Sequence, residues 1–319
     1  MENKLDIILK NYVNNVEGII AVAIFDKDGL LIASEHKEGT GGDSDAIMGA
    51  ISSMIDSSID RIKKEFNTEV GFFNITSTGD KKFVFCSKGQ NSILTTLAQP
   101  NTSDVELKVF SEHIAVKIDL LLDRNENISL EIPDIIKILS KTRSGKFPEG
   151  DFATKLVLIG DYRAGKSSLI RRFVHQKFKE NYTSTIGVDI TKHTYKLSDK
   201  TMVNFIIWDV AGQSDFLTYR KNFYNGAHCA MIVLDRTREE TLKNVKKWYN
   251  DITNSLEEKL PMVIVGNKSD LLDNIVVQEK DIKAVADELG FNYILTSAKT
   301  GENVHDAFAY MASKVLERL

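Results

Sequence analysis

Gly160-Asp161-Tyr162-Arg163-Ala164-Gly165-Lys166-Ser167 is the stretch on which the reading of this chain turns. The apolar run Lys155-Leu156-Val157-Leu158-Ile159 leads into it, and a helical pattern through Leu169, Ile170 and Phe173 leads out. A strand, a glycine loop and a helix thus stand in the order that a phosphate-binding loop requires. In that arrangement the N–H groups of the loop and of the helix N-terminus converge on an anion, and the helix dipole reinforces them. Lys166 is expected to reach the terminal phosphates, and the Ser167 hydroxyl to ligate a magnesium ion.

Working outward, apolar runs at 156–159, 203–208, 229–234, 262–265 and 293–295 alternate with helical stretches. This predicts an α/β fold, a doubly wound and mostly parallel sheet with ligands at the carboxyl ends of its strands. Asp209-Val210-Ala211-Gly212-Gln213 follows one such run. Asp209 is placed to hold the magnesium through a water, the Gly212 N–H to grasp a γ-phosphate, and Gln213 to orient the attacking water. Upstream, Tyr182-Thr183-Ser184-Thr185-Ile186-Gly187 supplies a threonine, Thr185, whose hydroxyl reaches the same ion only while a γ-phosphate holds the loop. Asn267-Lys268-Ser269-Asp270 comes after the fourth run. The Asp270 carboxylate can accept from both N1–H and the 2-amino group of guanine. Adenine lacks that amino group and would leave the acid unpaired, a difference that discriminates by about 10⁴ or more. Thr296-Ser297-Ala298-Lys299 adds the Ala298 N–H, aimed at the guanine carbonyl oxygen.

With these five motifs in order over residues 152–319, the C-terminal part resembles a Ras-superfamily small GTPase, and Ser184-Thr185-Ile186-Gly187-Val188-Asp189 is most similar to the Rab branch. The resemblance implies GTP and GDP as ligands, Mg²⁺ as cofactor, and slow hydrolysis of GTP to GDP and phosphate. Gln213, Lys166 and Thr185 are then the catalytic residues, and Ser167, Thr185 and Asp209 the metal site. The implied nucleotide-binding set is Gly160, Asp161, Tyr162, Arg163, Ala164, Gly165, Lys166, Ser167, Ser168, Phe178, Tyr182, Thr185, Gly212, Asn267, Lys268, Asp270, Ser297, Ala298 and Lys299. Within it Phe178 sits against the guanine edge, and the Lys268 stem along its face. Two positions depart from the pattern. Where many relatives carry glycine or serine, Tyr162 and Arg163 are bulky: Tyr162 crowds the space that an external arginine finger enters, and Arg163 either supplies that charge in cis or points outward. A rival reading from another class is an interaction scaffold that holds its nucleotide permanently and turns nothing over.

The N-terminal part carries a different pattern. Leu5, Ile8, Leu9, Tyr12, Val13 and Val16 form a helical stripe, and runs at 19–25 and 30–34 flank Asp26-Lys27-Asp28-Gly29, a hairpin turn. A long helix is expected after Asp43 or Ser44, with Ile47, Ile51, Met54, Ile55, Ile59, Ile62 and Phe66 on one face. Strands near 70–76, 82–87 and 92–98 follow, then a helix over 102–122. One antiparallel sheet with flanking helices results. This order, the turn ending in Gly29 and the segment Ile93-Leu94-Thr95-Thr96-Leu97-Ala98 resemble the Roadblock (dynein light-chain type) family over residues 1–123; longin and profilin-like domains are the other candidates. The resemblance implies a homodimer, or binding to another Ras-like GTPase. Residues 124–151 read as a linker with a short helix after Pro133, either a solvated hinge or docked through its isoleucines.

Composition bounds the rest. At 319 residues the chain exceeds one compact core, so two domains are expected. A net charge of −4 lacks the basic field of a general nucleic-acid binder. Cys86 and Cys229, both in apolar runs, make neither a disulfide framework nor a zinc site, which suits the cytoplasm. Neither end shows a leader or a lipidation signal, so the expected route to a membrane is through a partner.

Overall fold

The computed structural model describes residues 2–37, 48–49, 51–53, 57, 71–89, 92–125, 127–143, 147–179, 185–198, 200–212, 217–256 and 258–319. It divides into two compact units, Met1–Ser144 and Gly145–Leu319.

The first unit is built on a five-stranded antiparallel sheet in the order β2-β1-β5-β4-β3, with β1 Ile19–Asp26, β2 Leu31–His36, β3 Phe72–Thr78, β4 Lys81–Ser87 and β5 Ser92–Ala98. The turn between β1 and β2 closes because the Asp26 carboxylate accepts from the N–H groups of Asp28 (2.9 Å) and Leu30 (2.8 Å), while Gly29 takes φ 80°. Both faces of the central strands are covered. On β5, Thr96 Oγ1 donates to the hydroxyl of Tyr12 from helix α1 (Glu2–Asn15), which meets Ser111 of helix α2 (Asp104–Leu122) at 2.7 Å. Its neighbour Thr95 points the other way and pairs with Ser52 at 2.6 Å, on the side where Met48 packs against Ala21, Ala23 and Phe25. Adjacent residues of a strand face opposite layers, so these two threonines alone define a three-layer unit. The expected long helix from Asp43 or Ser44 falls mostly outside the described residues.

The segment after α2 is docked. Helix α3, Asp134–Arg143, packs on α2, and Ile128, Ile132, Ile135, Ile136 and Leu139 are buried. Lys117 of α2 is 1% exposed and donates to the carbonyls of Ser129 (2.6 Å) and Glu131 (2.5 Å). The isoleucines thus attach the stretch to the first unit as far as the break at Ser144.

The second unit carries a six-stranded sheet in the order β11-β10-β9-β6-β8-β7. Its strands are β6 Gly150–Ile159, β7 Val188–Ser198, β8 Thr201–Val210, β9 Cys229–Asp235, β10 Met262–Asn267 and β11 Asn292–Leu295. All neighbours run parallel except β7, which pairs antiparallel with β8. Val157, Ile159, Ala230, Ile232, Leu234 and Ile264 are fully buried, as strands covered on both faces must be. The helices are α4 Lys166–His175, α5 Leu217–Tyr224, α6 Glu239–Lys243, α7 Val245–Thr253, α8 Glu279–Leu289 and α9 Val304–Leu316. Edge strand β7 did not register as an apolar run because polar and charged residues alternate along it. Among the described residues no helix is long and apolar enough to cross a membrane.

Candidate functional site

Strand β6 ends at Ile159, and the octet turns its backbone into the N-terminus of α4. Gly165 stands at the helix start with φ 99°, where a Cβ would run into Asn267 Nδ2, so only glycine fits. Asp161 fastens the loop from outside, its carboxylate accepting from Trp248 Nε1 (2.7 Å) and Asn244 Nδ2 (2.8 Å). Lys166, 6% exposed, lies under the loop and donates to the carbonyls of Gly160 (2.7 Å) and Asp161 (3.1 Å).

Three oxygens meet beside that lysine. Ser167 Oγ lies 3.0 Å from Thr185 Oγ1 and donates to Asp209 Oδ2, which Thr185 Oγ1 also reaches at 3.2 Å. Asp209 is 2% exposed, and its other oxygen, Oδ1, is buried and accepts no hydrogen bond from the described residues. Burial raises the Asp209 carboxyl above its ordinary value, opposed by Ser167 and the charge of Lys166. An orphaned carboxylate oxygen beside two hydroxyls is a hard, oxygen-only donor set, which fits Mg²⁺.

The opposite end of the site is built by β10 and the turn after β11. Asn267, 1% exposed, donates to the Ala164 carbonyl (3.0 Å), and its Oδ1 accepts from the Ala298 N–H (3.2 Å) and the Thr296 hydroxyl (3.3 Å). One amide thereby joins the octet to the turn at 296–299. Asp270 is steadied by Ser297 Oγ at 2.6 Å. Arg172 of α4 binds the same turn from below, through the carbonyls of Ala298 (2.9 Å) and Lys299.

Between the two ends lies a cavity of about 400 Å³. Of the residues expected from sequence, Tyr162, Arg163, Gly165, Lys166, Ser167, Ser168, Phe178, Thr185, Gly212, Asn267, Lys268, Asp270, Ala298 and Lys299 line it. Gly160, Asp161, Ala164, Ser297 and Asp209 stand behind that wall and act on those in front. Gln213 and Tyr182 lie outside the described residues.

Among the described residues the sequence reading missed six contributors, Ala211 and Leu271 on the cavity wall among them. Arg171 and Lys179 also line the cavity. Asp235 and Arg238, at the carboxyl end of β9, hold Lys268 and the Tyr162 carbonyl. Asp235 was masked as the polar end of an apolar run. Arg163 takes φ 62°, a left-handed conformation at a position where the sequence alone flagged only bulk. Its guanidinium lies over the Tyr162 ring, 5.3 Å from the centroid.

Comparison with known proteins agrees with this geometry. The Ras family matches residues 155–317, and the Roadblock/LC7 domain matches residues 7–98. The GTP-binding protein YPTM2 of Zea mays is 44% identical over 172 residues, spanning 54% of this chain and 84% of that protein. The Ras-related protein RABD2a of Arabidopsis thaliana and the GTP-binding protein ypt1 of Schizosaccharomyces pombe are each 43% identical over 172 residues, again 54% of this chain and 84% of theirs.

Proposed function

Because the chain belongs to the Ras family and carries a Roadblock/LC7 domain ahead of its GTP-binding domain, we propose that it is a guanine-nucleotide switch that hydrolyses GTP slowly, with the Roadblock domain serving dimerisation or adjusting the GTPase. The observation that carries the reading is the meeting of the Ser167 and Thr185 hydroxyls with the buried Asp209 carboxylate beside Lys166, across one cavity from an aspartate held by a buried serine. Mg²⁺ held by Ser167, Thr185 and, through a water, Asp209 would neutralise charge on the β- and γ-phosphates. Lys166 leaves the loop carbonyls for phosphate oxygens, and Thr185 keeps its place only while a γ-phosphate is present. Loss of that phosphate releases the loop and changes the surface around it. Gln213 orients the attacking water, and Asp270 accepts from the guanine edge. Such catalysis is mostly positioning and electrostatics, so the chain alone turns over slowly, and a partner that supplies charge raises the rate by up to about 10⁵.

The test is direct. Purified protein is denatured, the released nucleotide is identified by chromatography, and phosphate release from added GTP with magnesium is followed over many turnovers. Bound GDP or GTP with continuing release supports the switch. Bound nucleotide with neither exchange nor release supports a permanent-nucleotide scaffold instead. Protein that is empty and indifferent to GTP overturns both. Gln213→Leu is expected to slow release at least tenfold while leaving nucleotide binding intact; equal turnover removes Gln213 from the catalytic set.

A further inference from the structure

We propose that Asp235 and Arg238 form a charged bridge between the loop that reads the base and the loop that reads the phosphates, and that this bridge sets how long a guanine nucleotide stays bound. The proposal rests on the reading of the cavity given above.

Asp235 ends β9, the strand between β6, which runs into the octet, and β10, which pairs Asn267 with Asp235. Its carboxylate is 1% exposed and fully engaged. Oδ1 accepts from the Thr237 N–H (2.9 Å) and hydroxyl (2.7 Å). Oδ2 accepts from Lys268 Nζ (2.6 Å) and Arg238 Nε (3.0 Å). Burial by itself would raise this carboxyl, but the hydrogen bonds from Lys268 and Thr237 outweigh burial and hold it below the usual carboxylate range. It is a fixed negative charge whose main service is to hold Lys268 on the cavity wall.

Arg238 extends that service to the other loop. While Nε meets Asp235, a terminal nitrogen donates to the Tyr162 carbonyl at 2.7 Å. One rigid guanidinium fork therefore spans a buried acid and the phosphate loop, which the point charge of a lysine does not reproduce. A second tie between the same loops, Asn267 Nδ2 to the Ala164 carbonyl, is neutral. The Arg238 tie is charge-assisted and the stronger kind. Loops held in their binding geometry before the ligand arrives lose less freedom on binding, and the gain shows chiefly in the dissociation rate. Arg238 is a positioning residue. It meets neither the Ser167 and Thr185 hydroxyls nor the Asp209 carboxylate, so it acts alike on GDP and GTP.

Dissociation of mant-GDP and mant-GTP from the full chain, chased with excess unlabelled nucleotide, tests this with magnesium and with EDTA. The Arg238 side chain is 31% exposed and also meets Glu240 at 3.4 Å, so the charge is partly screened. Arg238→Gln is expected to speed dissociation by roughly tenfold for both nucleotides, under both conditions, with an unchanged far-UV circular dichroism spectrum. Arg238→Lys keeps the charge and loses the fork, so its rates fall between; it carries the test if the glutamine variant does not fold. Wild-type rates in Arg238→Gln, or in a well-folded Arg238→Lys, overturn the bridge. An acceleration that disappears in EDTA overturns it too, since the effect would then lie at the metal. Wild-type protein that retains neither labelled nucleotide overturns the reading of the cavity, and the bridge with it.

Discussion

Arg163 holds a backbone conformation that suits glycine. With φ 62° it carries a left-handed penalty on the order of 1 kcal/mol. Its guanidinium is turned onto the Tyr162 ring next to it. Arg163→Gly is therefore expected to raise the melting temperature by a few degrees and to leave single-turnover GTP hydrolysis within twofold of wild type. A fall of tenfold or more would assign the arginine a catalytic charge supplied in cis. Bulk was visible in the sequence at this position, but the torsion was not, because φ follows from how the loop is fastened at Asp161 and Gly165.

Among the elements, α2 illustrates how polar groups inside the first unit hold its parts together. Lys117 reaches two carbonyls of the segment that follows the helix. Lys117→Met leaves both without that donor, and we expect a loss of about 3 kcal/mol in urea unfolding, with segment 127–132 gaining amide hydrogen exchange before the sheet does. Two residues along, Asp119 accepts from Ser92 Oγ (3.1 Å) beneath Gly89, and burial pushes its carboxyl up to about 6. A raised native value means the folded state binds the proton more tightly than the unfolded chain does. The stability from Asp119 is thus fully present below the ordinary carboxylate range and is lost as pH rises through about 6. Asp119→Asn is expected to raise the unfolding free energy at pH 7.5 by on the order of 2 kcal/mol and to change it little at pH 4. A variant less stable than wild type at the higher pH would contradict this.

For the whole molecule, the open question is what the Roadblock/LC7 domain does for the GTP-binding domain. The full chain, of 35.8 kDa, is expected to run at twice that mass in light scattering, and residues 145–319 as a monomer. If the two then release mant-GDP and hydrolyse GTP at equal rates, regulation in cis is excluded and the domain is left with dimerisation. Which residues line the cavity was largely legible beforehand because their motifs are local: a strand, a glycine turn and a helix start lie within twenty residues, and the identity of each side chain is written in order. Alternation of apolar runs likewise carried the sheet, since buried parallel strands must be apolar on both faces. Edge strand β7 escaped because a polar-patterned strand has no such signature. Docking of the segment at 127–143 was one of two alternatives that the isoleucines left open, whereas the left-handed Arg163 and the Asp235–Arg238 bridge escaped altogether, and all three for another reason. Each depends on residues distant in sequence meeting through the register of β6, β9 and β10 or the packing of α2, as Arg238 meets Tyr162 across 76 positions. By itself the sequence determined which chemical groups exist and on which kind of element they ride. Only the tertiary structure decided which buried acid faces which cation, because that pairing is a property of distance in space and not of separation along the chain.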